Sequence, residues 1–275
     1  MKKKNVTVLR LFSLFLLFFF SALLGPLWAF EDDYDSNGKS GQLTVAFSWL
    51  PGFCSVEKYQ SKKECRSLRD NPKKSHSFVL HGLWPDGSVI SKIHYCGDSK
   101  NLEDYAKSSD NWCSSKMALN LPTELKAKLL FSMPGVLSCL HRYQYHKHGS
   151  CYSNSSQEYF NDSILILHKI NFRSSSQDIY TDFVKFINEK RGESLSVDQI
   201  KKKFLSSFNL TDLTLKKLKV ICNRNSNNVQ VLQEIHLLIK GPIKSDHSLT
   251  TLVNNAGLPS YPKQMQECKG SAKIE

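Results

Sequence analysis

The sequence predicts an exported α+β domain, and three observations carry that reading. Segments of β character lie towards both ends of the chain, helical periodicity fills its middle, and eight cysteines follow an apolar N-terminal run. Strands that bracket a helical block, without strict strand-helix alternation, argue against a parallel doubly wound sheet.

The elements follow in order. Lys2, Lys3, Lys4 and Arg10 form a basic region, Leu11 to Leu24 is almost wholly apolar, and Leu27-Trp28-Ala29 offers a cleavage site. This is the pattern of a secretory signal peptide over residues 1–29. The rival is an uncleaved anchor, because the apolar stretch approaches the length that spans a bilayer. Residues 30–41, acidic and containing Gly and Ser, read as a poorly ordered leader. Order is expected from Gln42, with 42–49 and 77–84 as strands joined by a cysteine-containing stretch rich in Lys, Arg and Ser. Residues 123–131, stopped by Met133-Pro134-Gly135, and 157–170 place apolar residues three and four apart. The same spacing recurs at 176–188 and at 197–208, the latter opening on a capping-box pattern from Ser196 to Gln199. Strand character returns at 215–222 and 229–239. No linker divides residues 42–268, which read as one domain, and 269–275 read as a loose tail.

Lys and Arg number 37 against 25 Asp and Glu, a formal charge of +12. Removal of residues 1–29 takes four positive charges and no acid, leaving about +8, a balance that favours polyanions such as nucleic acid. Cys54, Cys65, Cys96, Cys113, Cys139, Cys151, Cys222 and Cys268 all follow the apolar run. In an exported chain they imply up to four disulfides, for which about 105 pairings exist. The short Cys54 to Cys65 loop and the late Cys222 with Cys268 stand out, and Cys96 with Cys151 would tether the two segments described next. No close Cys-x-x-Cys pair suggests a metal site, and no cofactor is expected.

Two segments carry chemistry. In Ser77-Phe78-Val79-Leu80-His81-Gly82-Leu83-Trp84-Pro85-Asp86 a strand delivers a histidine to an edge bounded by Gly and Pro, although a lone histidine is also a common core residue. In Cys139-Leu140-His141-Arg142-Tyr143-Gln144-Tyr145-His146-Lys147-His148-Gly149-Ser150-Cys151 the basic residues are too dense for a core helix. A helix there sets His141, Gln144 and His148 on one stripe bordered by Lys147. RNA cleavage through the 2′-hydroxyl needs a base, an acid and fixed positive charge at the phosphate. Two histidines and a lysine suffice for it, whereas a solvated basic face that only binds anions is the plainer alternative.

These two segments resemble the active-site segments of the ribonuclease T2 family, and the likeness runs from Phe47-Ser48-Trp49-Leu50-Pro51-Gly52-Phe53-Cys54 to Lys219-Val220-Ile221-Cys222. The Trp-Leu-Pro-Gly-Phe-Cys entry is more similar to bacterial members than to plant ones. The resemblance implies a central antiparallel sheet with helices packed on it and single-stranded RNA as substrate; nothing in the sequence suggests an obligate oligomer, so a monomer is expected, and the signal-peptide reading leaves no membrane association after cleavage. It implies His148 as base, His81 as acid and Lys147 as transition-state cation, with base stacking by Trp84 and a base contact by Asp86. Where the family usually has a phosphate-binding His and a catalytic Glu, this chain has Tyr143 and Gln144. That departure predicts an active but slowed enzyme, with His141 or His146 recovering part of the phosphate contact. Its rival is an RNA-binding or effector protein on the same scaffold. Asn154, Asn161 and Asn209 head acceptor sequons for N-glycans, meaningful only in a host that glycosylates its exports.

Overall fold

The computed structural model describes residues 41–72, 76–85, 94–109, 112–173, 179–258 and 267–275. The expected signal peptide and all of the leader but Gly41 therefore lie outside the described residues.

The chain enters through β1 (Gln42–Ser48) and turns into two short helices, α1 (Leu50–Ser55) and α2 (Lys63–Asp70), before β2 (Val79–Pro85). The helical middle comprises α3 (Glu103–Ser109), α4 (Thr123–Ser132), α5 (Leu140–Lys147), α6 (Ser156–Asn171) and α7 (Asp182–Glu189). A short β3 (Ser194–Ser196) and α8 (Val197–Ser207) lead back to β4 (Leu218–Arg224) and β5 (Gln230–Lys240), then α9 (Leu249–Asn255) and β6 (Ser271–Lys273).

The sheet runs β2-β1-β5-β6-β3, with β4 also paired to β5. Its main pairs are antiparallel, and β6 meets β5 in parallel at one position, Val231 with Lys273. Alternation divides the central strands. Leu43, Val45 and Phe47 of β1, with Leu232, Ile235, Leu237 and Ile239 of β5, enter the main core. There they meet Tyr159, Phe160, Ile166 and Ile170 of α6, Phe183 and Ile187 of α7, and Phe204 of α8. The opposite face of the same strands carries Glu234 and His236.

All eight cysteines pair, as Cys54 with Cys65, Cys96 with Cys151, Cys113 with Cys139, and Cys222 with Cys268. Among the described residues no helix is long and apolar enough to cross a membrane.

Three expectations need correction. The tail at 269–275 is ordered: β6 pairs with β3, Ala272 and Ile274 are fully buried, and the Trp49 indole N–H donates to the Glu275 carbonyl at 2.9 Å. Apolar residues at 272 and 274 with polar ones between are a strand signal too short to register alone. The helix expected from 176 begins at Asp182, capped by the Thr181 hydroxyl, while 176–178 lie outside the described residues. The strand expected from 215 begins at Leu218, because Asp212–Lys217 forms a 3-10 turn. Helices α1 and α2 were not expected: α2 buries only Glu64 and Cys65, so it offers no apolar stripe to read.

Candidate active site

Strand β2 brings His81 and Trp84 to the face opposite the core. Along β1 and β2, Phe47 pairs with Leu80 but Ala46 pairs with Gly82, so His81 is one extra residue on β2, a β-bulge. Leu80 and Leu83, three apart, both enter the core, while His81 reaches the buried carboxylate of Glu234, Nδ1 to Oε1 2.9 Å. Trp84 lies over the trough left by Ala46 and Gly82, its ring 5.1 Å from His236. Gly82 is required there, because a Cβ would stand 2.2 Å from Gln144 Oε1 and 2.5 Å from Trp84 Nε1.

Helix α5 supplies the second half. Gln144, 2% exposed, accepts a hydrogen bond from the Trp84 indole N–H at 2.7 Å and so joins helix to strand. His148 caps the helix, its N–H bonded to the Gln144 carbonyl, and its ring lies 5.3 Å from Trp84. Trp84 is also 5.4 Å from His81. The indole thus contacts both imidazoles, whose ring centroids cannot be farther apart than those two distances together. Lys147 donates to the Tyr143 hydroxyl at 2.8 Å, and Tyr143 stacks on Trp112 with centroids 4.2 Å apart.

Three residues that the sequence reading did not single out complete the cluster. His94 meets His148 edge-on at 5.0 Å, held near it by the Cys96–Cys151 disulfide and by the Tyr95 N–H bonded to the Lys147 carbonyl. Glu234 and His236, two apart on β5, are both buried, and His236 Nε2 donates to Glu234 Oε2 at 2.6 Å. Their signal was a Glu and a His at strand spacing inside Val231-Leu232-Gln233-Glu234-Ile235-His236-Leu237. A charged pair on one face of a buried strand needs a partner, although alternation alone reads it as solvent-facing.

The environment separates the two histidines electrically. Burial pushes the His148 imidazole well below its ordinary value, reinforced by the charges of Lys147, His94 and His81. Burial and Lys147 also oppose charge on His81, but the field and hydrogen bond of Glu234 overcome them and raise it. Burial opposes ionisation of Glu234, yet the field of His81 and the hydrogen bonds from His236 and His81 hold it well below the usual carboxylate range. The result is a neutral imidazole able to accept a proton and a protonated one able to donate it, both in contact with one indole.

His141 and His146 are engaged with other groups. His141 packs against Phe160, its Nδ1 has no hydrogen-bond partner among the described residues, and burial with Arg142 and Lys126 nearby pushes it down to about 4. An imidazole so displaced is neutral near pH 7 and offers an anion no charge. His146 is buried, with Nδ1 2.9 Å from the Ser99 hydroxyl and Nε2 3.3 Å from the Met117 carbonyl, so it braces α5 against the preceding segment. Of the expected stripe, Gln144 and His148 reach the site. Asp86 lies outside the described residues.

Comparison with known proteins gives a consistent result. A model described as the Ribonuclease T2 family matches residues 40–255. The chain is 25% identical to ribonuclease I of Escherichia coli (strain K12) over 217 residues, which is 74% of this chain and 76% of that protein. It is 27% identical to ribonuclease S-7 of Nicotiana alata over 48% of this chain and 53% of that one. Among solved structures, Japanese pear S3-RNase matches with a TM-score of 0.53 at 17% identity, covering 85% of this chain and 99% of that one. The self-incompatibility SF11-RNase of Nicotiana alata matches with 0.52 at 14% identity over 85% and 97%. The structural likenesses establish the fold.

Proposed function

The chain belongs to the ribonuclease T2 family and is an endoribonuclease, and on that premise we propose that it cuts single-stranded RNA by transesterification through the ribose 2′-hydroxyl. His148 removes the 2′-hydroxyl proton, the 2′-oxygen attacks phosphorus, and the P–O5′ bond breaks as His81 delivers a proton to the leaving oxygen. The first product carries a 2′,3′-cyclic phosphate. In the second step water attacks phosphorus, His81 takes its proton and His148 returns one to the 2′-oxygen, leaving a 3′-phosphate. Lys147 offsets the charge that builds on the phosphoryl oxygens.

One observation carries this reading: two imidazoles 67 positions apart in sequence meet at Trp84, one displaced towards the neutral form and the other towards the protonated form. Trp84 is half-buried and bonded to Gln144, so base stacking would use the part of its ring that the imidazoles leave open. The deciding experiment is digestion of RNA by purified protein with analysis of the product ends. Cyclic phosphate termini that disappear in His81→Ala and His148→Ala variants are expected. Cleavage no greater than in the double variant would refute it.

A second reading, a weakened enzyme that retains RNA, is favoured by Tyr143: its hydroxyl already engages the Lys147 ammonium. RNA affinity that persists without product would select it. Four disulfides and the N-terminal sequence support action outside the cytoplasm. N-terminal sequencing of the exported chain tests that, a mature terminus near residue 30 being expected.

A further inference from the structure

The cluster gathers His81, His94, His148, His236 and Lys147, all able to carry positive charge, around the single carboxylate of Glu234 among the described residues that compose it. Gln144, the polar side chain that α5 places in the same cluster, is neutral and committed to Trp84. Glu234 has no other described partners than the two imidazoles, one on each oxygen: Oε1 lies 2.9 Å from His81 Nδ1, and Oε2 lies 2.6 Å from His236 Nε2. Register places Glu234 opposite Ser48 of β1 and Ile221 of β4, and His236 opposite Ala46 and Lys219, all on the face away from the core. His236 in turn packs its ring on Trp84, so the carboxylate is locked from two sides.

We propose that Glu234 is the positioning carboxylate of this site: it holds His81 protonated, fixes its Nδ1 as the buried donor, and leaves Nε2 as the atom that exchanges a proton with RNA. The inference rests on the ribonuclease reading and goes beyond it. The negative charge that supports the acid comes from strand β5 and not from the histidine-rich helix. Glu234 touches no substrate and acts through His81. His236 serves as its clamp, giving a buried carboxylate a second strong donor so that it stays ionised.

The groups facing this pair are Lys147 from α5, His148 at that helix's end, His236 beside Glu234 on β5, and Lys219 across from His236 on β4. Each is or can become a cation. Without Glu234, His81 is therefore left in a buried, like-charged setting that favours loss of its proton.

The test is the pH dependence of kcat/KM for Glu234→Gln and Glu234→Asp beside the unmodified protein, with imidazole titration by NMR. Glu234→Gln is expected to lower kcat/KM by roughly 10²-fold and to move the alkaline limb downward by at least about one pH unit, a charge–charge effect that a purely structural role would not produce. Glu234→Asp should lose rate while its alkaline limb stays near that of the unmodified protein. An alkaline limb that does not move in Glu234→Gln overturns the proposal. If Glu234→Gln fails to fold, the unmodified protein still decides: His81 must titrate above an ordinary histidine with Nδ1 protonated, and titration at or below that value, or an Nε2-protonated tautomer, overturns it. Absence of RNA cleavage in the unmodified protein would defeat the ribonuclease reading instead, while the His81 titration would still report on the ion pair.

Discussion

Replacing Gly82 with alanine probes the join between the two halves of the site. The added methyl would meet Gln144 Oε1 at 2.2 Å, Trp84 Nε1 at 2.5 Å and Gln144 Cδ at 2.9 Å, all well inside the 3.4 Å at which ordinary contact begins. Gln144 is buried and bonded to the half-buried Trp84, so the two are tied together and both must retreat by roughly 1 Å. Overpacking of this kind costs about 1 to 3 kcal/mol, and stretching the Trp84–Gln144 hydrogen bond adds about 1. The expected loss of stability is therefore about 2 to 4 kcal/mol. Because Trp84 packs on both His81 and His148, a displacement of that size should also lower kcat by roughly 10²-fold in protein that is still folded. Urea unfolding gives the first number, and turnover on a short RNA at a temperature well below the transition gives the second. A Gly82→Ala protein that keeps full kcat would refute the claim that the Trp84–Gln144 join holds the two imidazoles in place, whatever its stability.

Other outcomes follow from the same geometry. The proposed reaction needs His148 neutral and His81 protonated; since His148 lies below and His81 above the ordinary 6.5, kcat/KM should rise on an acid limb below pH 6.5 and fall on an alkaline limb above it. An acid limb above pH 6.5 would reverse the two roles or remove them. Lys147→Ala should cost roughly 10² to 10³ in kcat, with Lys147→Arg recovering part of it, and single-turnover kinetics on RNA check this. Replacing Cys96 and Cys151 together with serine frees a link across 55 residues, worth about 4 kcal/mol in the chain-entropy model, and should uncouple His94 from His148; denaturant midpoints and His94 chemical shifts report the two effects. Ile274→Ala should lose about 2 to 5 kcal/mol, as expected for a fully buried side chain, and a loss below half a kcal/mol would show that the C-terminal strand contributes no core.

The α+β class, the two segments of the site and most long elements were legible because each has a local signature. The 3.6-residue spacing of α6 and α8, the alternation of β1 and β5, and the crowding of basic residues in α5 can be read within a dozen positions. The unread parts are those whose meaning comes from distant partners. Glu234 and His236 acquire a role only once β1 sets His81 and Trp84 beside them, and His94 only once Cys96 pairs with Cys151. His141 shows the converse: helical spacing ranked it with Gln144 and His148, but the ring of Phe160 claims it one turn earlier.

The bulge in β2 sets chemistry apart from architecture at a single position. Removing residue 81 from the register leaves Leu80 facing Phe47 and Gly82 facing Ala46, an uninterrupted alternation in which Leu80 and Leu83 stay inward and Trp84 outward. The proposed acid is thus supernumerary to the strand that bears it. Deleting His81 would therefore spare the alternation of the strand and put its cost on Glu234, a buried carboxylate left with His236 as its side-chain donor among the described residues.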